Sequence, residues 1–212
     1  MVRQWMYEDG GMSDTWRPLT IDEVQDRFAR FDADWWIAGG HAIDLFVGWV
    51  TRPHDDIDVE IFRKDRDTLF DVFDGWDLYV VGHGGLLPWV RGTDIAPHVF
   101  GVWGRPSPEE PWAVEVMLAD GDRTRWRFRR DPDVSLHGEE LIRTSRTGIP
   151  YCTPEVQMLY KSKMARPKDD IDLARILHLM TRSQRQWLAD AIIRSDPDHP
   201  WIGLLALADM SS

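Results

Sequence analysis

Residues 35–58 constrain the fold of this chain more than any other segment. They open with the apolar run WWIA, which predicts a short buried strand that ends at two glycines. The next residues predict a short helix over 41–49, and an apolar strand follows over 56–62. Asp56 and Asp58 stand two residues apart on that strand. Because residues i and i+2 of a strand point to one face, the pattern predicts two carboxylates side by side.

Two carboxylates held this close raise each other's pKa unless a cation neutralises them. A hard divalent ion such as Mg²⁺ is the usual partner of such oxygens. The turn formed by Gly39 and Gly40 lies just before the predicted helix. Its backbone N–H groups and the helix N-terminus suit a phosphate. Together, these features predict a site for a metal-bound nucleoside triphosphate.

A third acid, Glu115, lies on the apolar segment WAVEVML with valine on either side. Burying an unpaired carboxylate is costly, so a metal shared with Asp56 and Asp58 would explain its position. Glu60 competes for this role because it shares the predicted face of Asp58. We expect Glu60 to point to solvent near the strand end, and we place Glu115 ahead of it.

The remaining periodicity predicts a mixed α/β N-terminal half and a helical C-terminal half. Further strands are predicted at 76–81, 87–91, 97–103 and 112–119, and helices at 20–31, 65–73, 154–164, 168–180 and 183–194. This division predicts a catalytic domain over residues 16–150 and a helical region over 151–212. Residues 195–212 are predicted to form a turn and a short apolar tail.

Charge and composition limit the classes of partner. The net charge of -11 disfavours DNA and RNA and modestly favours a cationic small molecule. The single cysteine, Cys152, excludes an internal disulfide, and we find neither a signal peptide nor an apolar run of membrane-spanning length. These features predict a cytoplasmic protein without a membrane segment. Twelve tryptophans are unusual, and we expect some of them to line a ligand pocket.

Residues 123–130, RTRWRFRR, alternate arginine with threonine and aromatic residues. The favoured interpretation is one strand with a basic face and an aromatic face. The alternative is an anion-binding or nucleic-acid-binding surface, against which the overall negative charge argues.

The motif GGHAID at residues 39–44, followed by TRPHDDID at 51–58, resembles the signature of the nucleotidyltransferase superfamily. More narrowly, it resembles the aminoglycoside and lincosamide nucleotidyltransferases. The resemblance implies a small mixed β-sheet flanked by helices, an α/β (α+β) fold with a C-terminal helical region. It also implies transfer of a nucleoside monophosphate to a hydroxyl, with release of pyrophosphate.

Carried over to this sequence, the resemblance implies that Asp56 and Asp58 bind Mg²⁺ and that Gly39 and Gly40 hold the phosphates. Glu115 takes the place of the third acid, which is usually aspartate in the superfamily. The resemblance therefore implies for Glu115 the role of a metal ligand, of a general base on the acceptor hydroxyl, or both. Position 41 is histidine where the drug-modifying relatives usually have tryptophan.

Four further residues are candidates for contact with the nucleotide. Arg52 and His54 precede the acidic strand, so each would either contact phosphate or orient the two aspartates. Lys161 and Lys168 are the candidates for the triphosphate, with Lys163 as third choice. The alternative for these lysines is a solvated helix face paired with neighbouring aspartates.

These observations predict a Mg²⁺-dependent enzyme that transfers AMP from ATP to a hydroxyl of a small molecule, such as an aminoglycoside-like antibiotic. Two alternatives stay open: a toxin-type nucleotidyltransferase that acts on tRNA or protein, and a non-catalytic nucleotide-binding module. A homodimer also stays open, because relatives often build the acceptor pocket partly across a dimer. The sequence fixes neither the acceptor nor the nucleotide.

Overall fold

The computed structural model describes residues 15–82 and 85–210, without the side chains of 209 and 210. In these ranges the α-helices are α1 (Ile21–Phe28), α2 (Gly39–Val47), α3 (Leu69–Val72), α4 (Gly138–Leu141), α5 (Pro154–Ser162), α6 (Pro167–Ile176), α7 (Arg182–Ile193) and α8 (Trp201–Met210), and a 3-10 helix over Arg63–Thr68 precedes α3. The strands are β1 (Trp35–Ile37), β2 (Asp58–Phe62), β3 (Asp77–Gly82), β4 (Gly85–Pro88), β5 (Gly101–Arg105), β6 (Val114–Gly121), β7 (Trp126–Phe128), β8 (Asp131–Leu136), β9 (Ile142–Thr144) and β10 (Pro150–Cys152).

The described strands form one mixed sheet in the order β4-β3-β5-β6-β2-β1-β10-β9. Strands β2 and β6 are parallel, and β1 is antiparallel to β2 but parallel to β10. The hairpin of β7 and β8 extends the sheet beyond the end of β6. The predicted mixed sheet flanked by helices is therefore confirmed.

Residue alternation on the two central parallel strands separates a polar face from an apolar face. Val59 and Ile61 of β2 are buried in the core, together with Val116 and Leu118 of β6. The residues between them, which include the acids, point to the other face. Hydrophobic burial on one side of the sheet thus presents the acids on the other side.

Two of the predicted helix starts are formed as the sequence indicates. Thr20 accepts a hydrogen bond from the Glu23 N–H while the Glu23 carboxylate accepts one from the Thr20 N–H, which is a capping box. Pro154 occupies the first turn of α5, where its missing N–H costs nothing.

Other boundaries differ from the prediction. Strand β2 begins at Asp58, so Asp56 lies in the preceding loop. Residues 123–130 are not one strand, because the chain turns at 129 and 130 between β7 and β8. The predicted apolar tail contains α8, whose Trp201 and Leu205 are buried against the core.

The C-terminal helical region follows directly after a strand of the sheet. β10 pairs with β1, with Tyr151 opposite Ile37, and α5 follows at once. The separation into regions 16–150 and 151–212 stays a prediction, but α5 supplies side chains to the cavity described below. No helix among the described residues combines the length and apolarity needed to cross a bilayer.

Candidate active site

The three predicted acids lie together at one end of the parallel strands. Asp58, the first residue of β2, is directly opposite Glu115 of β6 in the parallel register. Asp56 lies in the loop two residues earlier. All three line a single cavity of about 810 Å³. Pairing of β2 with β6 therefore brings together acids that are separated by nearly 60 residues in the sequence.

The acids repel one another and are partly removed from water. Burial, together with the negative charges of Glu115 and Asp56, raises the pKa of Asp58 to about 7. The Glu115 side chain is itself only 6% exposed. Carboxylate oxygens are the ligands that hard divalent cations prefer. The donor set and its unfavourable charge therefore fit a divalent cation.

The two glycines allow this acid group to pack closely against α2. Gly39 has φ +65°, and a Cβ there would collide with the Asp58 carboxylate. A Cβ on Gly40 would collide with the His54 ring and the Arg52 guanidinium. The Gly39 N–H donates to Gln157 Oε1 at 2.8 Å. Both glycines thus have a steric role, and the predicted phosphate contacts stay a prediction.

A chain of polar contacts holds the loop before β2. Asp44 accepts from the Thr51 N–H at 2.9 Å with one oxygen, and its other oxygen lies 2.7 Å from His54 Nε2. His54 Nδ1 is 3.0 Å from Arg52 Nη1, and Arg52 forms an ion pair with Asp172 of α6 at 3.2 Å. Arg52 and His54 line the cavity, and these contacts fit the orienting role that was one of their two predicted roles.

Lys161 and Lys168 both line the cavity, but they differ in burial and in their polar contacts. Lys161 is buried and donates to Asp169 at 2.8 Å and to Asp172 at 3.0 Å. It pairs with aspartates, as the alternative interpretation proposed, but not on a solvated face. Lys168 is half-buried in the first turn of α6. The third choice, Lys163, is exposed and does not line the cavity.

The cavity differs from the tryptophan-lined pocket that the composition suggested. Among the described residues no tryptophan lines it; its large apolar lining consists of Tyr160, Met117 and Met164. Its basic and acidic side chains are equal in number: Arg52, Arg129, Arg130, Lys161, Arg166 and Lys168 against Asp55, Asp56, Asp58, Glu60, Glu115 and Asp169. Most of the described tryptophans pack elsewhere, for example Trp103 against Trp112.

Comparison with known proteins finds a family profile and solved structures that resemble this chain. The aminoglycoside-2''-adenylyltransferase family profile matches residues 20–78, the segment that contains the glycines and both aspartates. No curated protein has a significant match to the sequence. The crystal structure of ANT(2'')-Ia in complex with adenylyl-2''-tobramycin superposes with a TM-score of 0.52 at 15% identity, covering 82% of this chain and 95% of that chain.

The lincomycin-bound crystal structure of the lincosamide antibiotic adenylyltransferase LnuA gives the same TM-score, 0.52, at 14% identity. The match covers 76% of this chain and 98% of that chain. The chain has the nucleotidyltransferase fold. Together with the family profile, this fold indicates a nucleotidyltransferase that resembles the aminoglycoside and lincosamide enzymes.

Several residues that line the cavity of this nucleotidyltransferase were not selected as site residues from the sequence. Arg129 and Arg130 occupy the hairpin turn, and Gln157 and Tyr160 come from α5. Burial, with the adjacent charge of Arg129, lowers the pKa of Arg130 to about 10. The available signal was the basic segment RTRWRFRR, for which an anion-binding surface was the disfavoured interpretation.

Glu60 is placed differently from the prediction. It is 5% exposed, lines the cavity and accepts a hydrogen bond from Trp36 Nε1 at 2.8 Å. The strand continues beyond it to Phe62, so Glu60 lies within the sheet and not at a solvated end. Burial raises the pKa of its carboxyl group to about 7. Glu60 is thus a buried acid that lines the cavity.

We expect Glu60→Gln to remove part of the pH dependence of stability. Because the folded-state pKa of Glu60 is raised from 4.5 to about 7, its favourable contribution is full below pH 4.5 and is lost as the pH rises through 7. Wild type should lose free energy of unfolding between pH 5 and pH 8, and the variant should lose less. The two losses should differ by on the order of 2 kcal/mol. Urea unfolding at both pH values measures this difference. The exposed residue Glu139 gives the control Glu139→Gln, and equal pH slopes for Glu60→Gln and wild type would contradict the expectation.

His41, Asp44 and His54 form a second group with atoms suited to a metal, all within 4.8 Å of one another. Burial and the neighbouring His54 ring lower the pKa of His41 to about 4, so His41 is neutral at pH 7. The oxygens of Asp44 are already used by Thr51 and His54, and the Arg52 guanidinium is adjacent. This arrangement fits a positioning cluster better than a cation site.

Proposed function

We propose that this nucleotidyltransferase transfers AMP from ATP to a hydroxyl of a small-molecule antibiotic and releases pyrophosphate. The observation that carries the proposal is the alignment of Asp58 with Glu115, next to Asp56, in a cavity that basic residues also line. Nucleotidyl transfer requires neutralisation of phosphate charge and in-line positioning more than covalent catalysis by the protein. A cavity lined by both acids and cations meets the first requirement.

Asp56, Asp58 and Glu115 would hold Mg²⁺ in this proposal. Their oxygens are hard ligands. The raised pKa of Asp58 reflects its burial and the negative charges of Glu115 and Asp56, and a bound cation would relieve that repulsion. When bound, the ion would neutralise phosphate charge and polarise the phosphoryl oxygens.

The residues around the acids would keep them in place for the reaction. Gly39 lets α2 approach Asp58, and the contacts of His54 with Asp44 and Arg52 fix the loop that carries Asp56. Lys161 is tied to α6 and lowers the pKa of Asp58 by its charge. With the acids held in place in this way, the triphosphate and the acceptor hydroxyl would be oriented at fixed positions. Such positioning is a major source of rate enhancement.

For Glu115 the proposal is the metal-ligand role, because its register partner on the neighbouring strand is Asp58. The variant Glu115→Gln separates this role from that of a general base. A ligand role predicts weaker Mg²⁺ binding in the variant, measured by titration in the presence of a non-hydrolysable ATP analogue. A base role alone predicts unchanged Mg²⁺ binding and loss of the transfer step only.

The test of the proposed function is calorimetric titration of Mg·ATP into wild type and into the double variant Asp56→Asn/Asp58→Asn. We expect metal-dependent binding that the double variant lacks, followed by pyrophosphate release when aminoglycosides or lincosamides are added. If wild type binds Mg·ATP but no aminoglycoside or lincosamide supports pyrophosphate release, tRNA or protein would be favoured as the acceptor. Absence of triphosphate binding by the folded wild type, with and without candidate acceptors, would reject the proposal.

A further inference from the structure

The hairpin of β7 and β8 supplies two arginines to the cavity. Phe128 of β7 pairs with Asp131 of β8, so Arg129 and Arg130 are the two residues of the turn. Both line the cavity, whereas Arg127, one position earlier, is exposed and does not. The turn therefore directs a pair of cations to the site from an element that contributes no acid to the cavity.

Arg129 is held in a defined position by aromatic rings. Its guanidinium carbon lies 4.8 Å from the centre of the Phe100 ring and 5.3 Å from that of Tyr160. Contact with the ring faces fixes the planar group through cation–π attraction while its N–H donors stay available at the edge. Among the described residues, Arg129 forms no hydrogen bond and no ion pair.

Most of the other cavity cations are already engaged. Lys161 and Arg166 both bind Asp169, and Arg52 binds Asp172. Arg130 donates to the Tyr160 carbonyl at 3.1 Å. Among the cavity cations that the structure describes, Lys168 resembles Arg129 in showing no ion pair. Arg129 makes no salt bridge, although its charge lowers the pKa of the buried Glu60 carboxyl group. A half-buried, preoriented guanidinium without a salt-bridge partner is suited to an anionic ligand.

We propose that Arg129 binds the terminal phosphates of the nucleoside triphosphate, those that leave as pyrophosphate, with Lys168 as the second cation. This inference rests on the proposed function and assigns the leaving-group subsite to the hairpin turn. A planar guanidinium can donate two parallel hydrogen bonds to phosphate oxygens, which a lysine cannot do.

In the transfer step a bond forms between the acceptor oxygen and the α-phosphorus, and the bond from the α-phosphorus to the bridging oxygen breaks. The electron pair of that bond leaves with pyrophosphate, and the hydroxyl proton passes to water. Negative charge therefore accumulates on the terminal phosphates as they leave. A fixed cation at that position stabilises the departing group.

The test compares three ligands in four proteins by calorimetry: Mg·ATP, Mg·pyrophosphate and AMP, with wild type, Arg129→Gln, Arg129→Lys and the control Arg127→Gln. We expect Arg129→Gln to raise the Kd of Mg·ATP and Mg·pyrophosphate about 10- to 100-fold and to leave the Kd of AMP unchanged. Arg129→Lys should show a smaller increase, because it keeps the charge but not the planar fork. Arg127→Gln should match wild type.

The outcomes separate this inference from the proposed function. If wild type binds Mg·ATP and Arg129→Gln binds it equally well, the inference is overturned and the proposed function stands. An equal loss of AMP affinity, or an effect only on the KM of the acceptor, also overturns it. If wild type binds no triphosphate, both fail. Thermal melting verifies folding, and Arg129→Lys decides the question if Arg129→Gln does not fold.

Discussion

Asp58→Asn is expected to reduce nucleotidyl transfer at least about 10³-fold while raising the thermal stability of the metal-free protein. A carboxylate that binds the metal stabilises the transition state by several kcal/mol, and each 1.36 kcal/mol corresponds to a factor of ten. In the absence of metal, the same carboxylate is buried beside Glu115 and Asp56 and is repelled by both. The asparagine side chain has a similar size but carries no charge, so the substitution removes that repulsion.

The stability gain should depend on pH. Because the pKa of Asp58 is raised from 3.8 to about 7, its favourable contribution is present below pH 3.8 and is lost as the pH rises through 7. The variant should therefore exceed wild type in Tm by more at pH 8 than at pH 5. Addition of Mg²⁺ should raise the Tm of wild type and change that of the variant little.

Calorimetric melting at both pH values and a pyrophosphate-release assay measure these effects. Asp190→Asn, on the exposed surface of α7, is the control and should change neither quantity. A variant that loses activity together with stability would show that Asp58 holds the fold together, against our expectation of a site residue that destabilises the metal-free protein.

Gly39→Ala is the second substitution with a large expected effect. Gly39 has φ +65°, and a Cβ at this position would collide with the Asp58 carboxylate. The left-handed conformation alone costs a non-glycine residue about 1–2 kcal/mol. The collision must in addition displace Asp58, and a misplacement of about 1 Å at a reacting centre can cost about 10²-fold in rate. We therefore expect a loss of both stability and transfer.

Gly75→Ala provides a matched control for Gly39→Ala. Gly75 has φ +75°, but a Cβ there would meet nothing within 4 Å. The two variants should share the backbone penalty, measured as the free energy of unfolding in urea, and only Gly39→Ala should lose transfer. Equal activities of the two variants would contradict the steric coupling between Gly39 and Asp58.

The local features of the site follow directly from the sequence. The strand, the glycine turn, the helix and the acidic strand lie within 28 consecutive residues, so periodicity and turn chemistry suffice to predict them. The polar face of β2 also follows, because alternation on a strand is a local geometric rule. Even here the boundary was wrong, since pairing with β6 begins at Asp58 and leaves Asp56 in the loop.

Features that depend on distant partners did not follow from the sequence. Glu60 was expected at a solvated end, but neighbouring strands and Trp36 bury it. The basic segment that contains Arg129 gives no indication that its turn lies beside Tyr160, because that contact depends on how α5 packs over the sheet.

The sequence by itself determined the mixed fold, the acid pair and the glycine turn, because each depends on spacing along a short segment. Only the tertiary structure decided the charge balance of the cavity and which cations stay available. Lys161 shows why: it is buried, and it is neutralised by two aspartates of α6 that reach it only through helix packing. Net charge sums over the whole surface, whereas ligand recognition depends on the few groups that the fold brings within a few ångströms.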